Sequence, residues 1–183
     1  MNASITNVKL LAALAFLVIA TSAVPARASD AETSASATAG RGRTGTATAT
    51  AHYDGDVGFA RTDTRTGAVN AARAVAVGFD EDGLSLSISL ALAPRRGPAY
   101  ATNFNLTFDS DGDVSTSVGT SLARGGISRT VSAGGRTGTT PIRTVATSWA
   151  GGSTERGGVV RAYSRSLDDE HRGVRVRRVI RIR

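Results

Sequence analysis

The chain has 183 residues, no cysteine, 21 glycines and only 5% aromatic residues, with 22 basic side chains against 15 acidic for a formal charge of +7. That length suits one domain, and the lack of cysteine excludes a disulfide scaffold, a thiolate metal site and a thiol enzyme. Lys9 is the only lysine, so the basicity is almost entirely arginine.

The N-terminal segment reads as an address. Lys9 precedes the apolar run Leu10–Ala20, and Ala26 and Ala28 form an A-x-A pattern ahead of Ser29. The pattern predicts a signal peptide over residues 1–28, cut after Ala28, and so a secreted or periplasmic protein. The 11-residue run is short of the about 20 apolar residues that a spanning helix needs. No second apolar run follows, so no transmembrane helix is expected after cleavage. Ser29–Arg43 has no apolar periodicity and is expected to be a flexible linker, because it offers little to offset its ordering entropy.

From residue 44 to residue 183 the pattern has period two, which predicts an all-β domain. The clearest strand is Leu84–Leu92, where Leu84, Leu86, Ile88, Leu90 and Leu92 alternate with Ser85, Ser87, Ser89 and Ala91. The leucine face is expected to be the buried one. Arg73–Phe79 alternates upstream, and Tyr100, Thr102, Phe104, Leu106 and Phe108 share a face downstream. Further strands are expected over Thr44–Tyr53, Val57–Arg65, Val114–Leu122, Ile127–Ala133, Ile142–Trp149, Val159–Leu167 and Val174–Ile182. Turn residues separate nearly all of them. The expected fold is a single antiparallel β-sandwich or barrel-like meander of about 8–10 short strands.

The phrase aromatic-D-x-D-G occurs twice, at Phe79–Gly83 and Phe108–Gly112. Its chemistry is that of a tight hairpin, with the first Asp accepting a backbone N–H and Gly taking the left-handed position. Asp109, Asp111 and Asp113 also copy the first three ligand positions of a calcium loop. Val114 and Thr120 stand where that loop needs Gly and Glu, which excludes a self-contained EF-hand. In a meander the acidic turns at Asp54–Asp56, Asp80–Gly83, Asp109–Asp113 and Asp168–Glu170 fall at one end of the sheet. Asp80, Asp82, Asp109, Asp111 and Asp113 are therefore the candidate ligands of a weak calcium site, the one cofactor the residues suggest. Arg65, Arg95, Arg96, Arg124 and Arg156 fall at the other end.

His52 and His171 are the only histidines, and neither lies in a G-x-S-x-G, H-E-x-x-H or P-loop context. No residue is singled out as catalytic, and no small-molecule substrate is identified. Threonines alternate at Thr44–Thr50 and Thr62–Thr66, as β-propensity on a solvent face allows. A small outer-membrane barrel would need aromatic girdles; only eight aromatic residues follow Ala28.

The C-terminal strand carries the most unusual charge pattern. Arg175, Arg177, Arg181 and Arg183 share one strand face, and Val174, Val176, Ile180 and Ile182 share the other with Arg178. Charge of this kind protects an edge strand from aggregation. It also makes a stripe for an anionic envelope polymer or polysaccharide. The strand has no aromatic for base stacking, which argues against nucleic acid. The reading these residues favour is an exported, non-catalytic β-domain with a surface-binding or structural role at the cell envelope or outside the cell. A secreted hydrolase and a small outer-membrane barrel are the alternatives.

Overall fold

A computed structural model describes residues 30–40, 45–80, 83–140, 143–168 and 175–182. Eleven strands and no helix lie among them, in two antiparallel sheets that do not close into a barrel. They are β1 (Ala31–Gly40), β2 (Ala47–Tyr53), β3 (Val57–Arg65), β4 (Val69–Asp80), β5 (Gly83–Pro94) and β6 (Ala99–Asp109). β7 (Val114–Gly125), β8 (Ser128–Thr140), β9 (Arg143–Glu155), β10 (Gly158–Asp168) and β11 (Arg175–Ile182) follow. The small sheet has the order β2-β1-β8-β9, and the large one the order β11-β10-β7-β6-β5-β4-β3.

All ten strands expected from the alternation are present. β1 is the addition, and it takes the strand count past the expected 8–10. It lies within the stretch expected to be a flexible linker, yet it pairs with β2 on one side and β8 on the other. Ala31, Thr33, Ala35, Ala37 and Ala39 point inward and are almost fully buried. A low-hydropathy alternation of Ala with Ser and Thr is ordered here because both neighbouring strands and the sheet opposite are equally small.

The meander is interrupted once. After β7 the chain crosses to the small sheet, forms the β8–β9 hairpin and returns as β10, which pairs with β7. Arg129 on β8 ties the two layers at this end: its Nη2 donates to the carbonyls of Pro94 (3.1 Å), which ends β5, and of Arg95 (3.0 Å) in the turn that follows.

The interior reverses the expected facing of the large sheet. Ser85, Ser87, Ser89, Ala91 and Ala93 of β5 are the buried side chains, and Ile88 is 36% exposed. On β6 the buried residues are Ala99, Ala101, Asn103, Asn105 and Thr107, while Tyr100, Phe104 and Phe108 are open to solvent. Size decides this arrangement. The small sheet presents Ala, Thr and Gly inward, so the layers meet where both faces are short.

Hydroxyl and amide groups then stitch the layers. Thr33 Oγ1 shares hydrogen bonds with Ser87 Oγ (2.7 Å) and Ser89 Oγ (2.8 Å). Ser87 Oγ donates to Asn105 Oδ1 (2.6 Å), and Asn105 Nδ2 donates to Ser117 Oγ and to the Thr147 carbonyl, both at 2.9 Å. Asn70 Nδ2 donates to the Thr38 carbonyl (2.7 Å), joining β4 to β1. Such bonds are needed because a buried polar group without a partner costs about 1–3 kcal/mol.

Candidate docking surface

With the short side chains turned inward, the large apolar ones line the outer face of the large sheet. Directly opposed residues of an antiparallel ladder share a face, so the register reads as cross-strand rows. The first is Val57–Phe79–Leu84–Phe108–Val114, and the next is Phe59–Val77–Leu86–Leu106–Thr116–Leu167. The third, Arg61–Val75–Ile88–Phe104–Val118–Arg165, is apolar between two arginines. Asp63–Arg73–Leu90–Thr102–Thr120–Tyr163 and Arg65–Ala71–Leu92–Tyr100–Leu122–Arg161 complete the face. Phe59 remains 47% exposed and Phe104 42%. A contiguous apolar field of this extent, rimmed by charge, is larger than the scattered apolar residues of an ordinary solvent-facing surface.

A shallow depression of about 150 Å³ indents this face between β6, β7 and β10. Tyr100, Thr120, Leu122, Arg161 and Tyr163 line it, so one guanidinium and two phenol rings border an apolar floor.

The outer face of the small sheet is different in kind. Thr48, Thr50 and His52 of β2 are exposed there beside Glu32 and Ser34 of β1, and Trp149 of β9 lies across Gly134 of β8. His52 is in register with Glu32 and does not line the depression, which belongs to the other sheet. His171 lies outside the described residues.

Charge is divided between the two ends of the strands. Register puts the β2–β3 turn (Asp54, Asp56) beside the β4–β5 turn, and the β6–β7 turn (Asp109, Asp111, Asp113) beside that, with Asp168 opposite Ser115. Arg65, Arg95, Arg96, Arg124 and Arg156 stand at the opposite end. Within the β6–β7 turn Asp109 Oδ1 accepts the N–H groups of Asp111 and Asp113, each at 3.0 Å. Gly112 takes φ +95, a left-handed conformation that disfavours any other residue. Asp109 is thus engaged in turn chemistry. Asp80 ends β4 and Asp82 lies outside the described residues. Among the described residues no three acidic or histidine side chains are grouped to hold a metal ion.

Among the described residues β11 is the edge of the large sheet and pairs with β10 alone, with Arg175, Arg177 and Arg181 in register with Ser166, Ser164 and Val160. Arg183 lies outside the described residues.

Three ion pairs among the described residues sit at the margins, two of them on Asp63, which Arg61 Nε also approaches at 3.6 Å. Arg136 Nη2 donates to Asp30 Oδ2, which holds the guanidinium pKa above its ordinary value. Arg73 Nη2 donates to Asp63 Oδ2, and this bond, helped by the nearby charges of Arg61 and Arg65, holds the Asp63 carboxyl below its ordinary 3.8. A carboxyl depressed in the folded state stabilises the fold above its unfolded pKa and loses that effect as pH falls through the folded pKa. Asp63→Asn should therefore lower the melting temperature slightly at about pH 7 and by less at about pH 2, because protonation of the carboxyl as pH falls removes the advantage of the charged form. Thermal melts at the two pH values check this.

Compared with known protein families, with curated proteins and with solved structures, the chain matches none.

Proposed function

We propose that the protein is an exported, non-catalytic β-domain of the cell envelope or extracellular space that works by docking through the outer face of its large sheet. The observation that carries this reading is the inside-out facing of β5 and β6. Their leucine, isoleucine and phenylalanine side chains line an open face, while serine, alanine and asparagine fill the interior. A chain whose largest apolar residues face outward lowers its free energy by covering them, at roughly 25 cal/mol per Å² removed from water. The leader pattern around Ala26 and Ala28 supports export.

A second reading concerns β11. Its place at the sheet edge leaves Arg175, Arg177 and Arg181 on an open border strand, which suits an anionic envelope polymer as well as it suits protection from edge-to-edge pairing. Fractionation of cells producing the chain, with N-terminal sequencing, tests the main reading. The product should lie outside the cytoplasm and begin at Ser29. A cytoplasmic chain with its leader intact overturns it.

A further inference from the structure

We propose that the outer face of the large sheet is the interface of a two-fold homodimer in which the strands of the two copies run antiparallel to each other. The inference rests on the reading of this face as the docking surface, and it names the partner as a second copy of the chain.

Area comes first. From β3 to β10 the face spans five strand spacings of about 4.8 Å, and from the Ala71 row to the Phe79 row about 27 Å. The flat footprint is about 650 Å² before side-chain relief and β11 are added. A stable interface takes about 800 Å² from each partner. The apolar field is the right size for a dimer.

Charge selects the partner and its orientation. A two-fold axis lying in the interface and perpendicular to the strands exchanges the two ends of the molecule. Asp54, Asp56 and Asp111 of one copy then stand over the arginine end of the other, with Asp111 near Arg96 and Arg124. An axis parallel to the strands would stack acid on acid, and complementary potentials favour the first arrangement. The same axis, passing between the Ile88–Phe104 row and the Leu90–Thr102 row, sets Ile88 of one copy against Leu90 of the other. It also sets Arg61 against Asp63. An anionic lipid surface fits less well, because the acidic turns border the two most apolar rows and would meet its headgroups.

Sedimentation velocity of the purified chain tests this. Wild type should be a dimer whose Kd weakens as salt is raised from about 50 mM to about 500 mM, since the pairing of the ends is exposed to screening. Ile88→Arg, at the centre of the face, should raise Kd by about 100-fold while the thermal melt stays cooperative. Asp111→Arg should raise Kd about tenfold at low salt, and Arg96→Asp added to it should restore most of the loss, because the exposed end charges again oppose.

A dimer that survives Ile88→Arg places the contact elsewhere, such as the β11 edge, and overturns the proposal. A dimer that Asp111→Arg with Arg96→Asp does not rescue overturns the antiparallel arrangement. A monomeric wild type at about 100 μM overturns it as well, and flotation with vesicles of phosphatidylcholine and phosphatidylglycerol then separates two cases. Vesicle binding lost in Ile88→Arg leaves the face a docking surface for lipid, and a monomer that binds no vesicle removes the docking reading too.

Discussion

Gly135→Ala is expected to destabilise the fold by about 2–4 kcal/mol, although glycine in a strand interior is ordinarily worse than alanine by about 0.5–1 kcal/mol. The reason is the closeness of the two layers. A Cβ on Gly135 would lie 2.1 Å from Asn105 Nδ2, 2.4 Å from Asn103 Nδ2 and 2.6 Å from the Thr147 carbonyl oxygen. Neither amide has room to swing away: both asparagines are buried, and Asn105 is already bonded to Ser117 and Thr147. The carbonyl belongs to the neighbouring strand of the same sheet. The added methyl group must therefore push β6 and β8 apart or break the hydrogen bonds of Asn105. Gly151 is the control. A Cβ there meets only Ser132 Oγ, at 3.9 Å, so Gly151→Ala should be neutral or stabilising by up to about 1 kcal/mol. Urea denaturation followed by Trp149 fluorescence compares the two. Equal midpoints would mean that the layers are not held as close as Gly135 requires.

This spacing also explains which features the sequence made legible. Ten strands follow from period-two alternation because that period needs only the pleat, whichever face is buried. The gathering of Asp54, Asp56, Asp109, Asp111 and Asp113 at one end follows from counting turns, and the β8–β9 hairpin preserves the count because it adds two strands. β1 was hidden for a physical reason. Ala35, Ala37 and Ala39 bury little area each, and their burial depends on Ala91, Ala93, Ala99 and Ala101 lying opposite. No local window contains that information. The facing of β5 was misleading for the same reason, since hydropathy ranks Leu84–Leu92 as core, whereas steric fit to a small sheet selects Ser85, Ser87 and Ser89. The apolar outer face was therefore illegible until the opposing layer was known. Alternating alanines in β1 and β2, with the Gly134-Gly135 pair in β8, are the signal that points to a closely packed layer.

A polar interior raises the opposite expectation for two neighbouring rows of the large sheet. Asn105 is a hub: it accepts from Ser87 Oγ and donates to Ser117 Oγ and the Thr147 carbonyl. Asn105→Ala strands those partners in a space closed to water and leaves a cavity besides, so a loss of about 3 kcal/mol is expected. Ser85, on the adjacent row, is just as buried, yet its Oγ has no hydrogen-bond partner among the described residues. The hydroxyl there carries its desolvation cost without a compensating bond. Ser85→Ala removes one oxygen and that cost together, and it should raise stability by about 1 kcal/mol. Ser87→Ala separates this effect from serine burial in general, because Ser87 Oγ is bonded to Asn105 and Thr33 and its removal should destabilise by about 1 kcal/mol. Denaturant midpoints of the three variants give the order Ser85→Ala, Ser87→Ala, Asn105→Ala from most to least stable. If Ser85→Ala instead fell below Ser87→Ala, its hydroxyl would have to hold a buried water, and the interior would be wetter than its side-chain bonds alone imply.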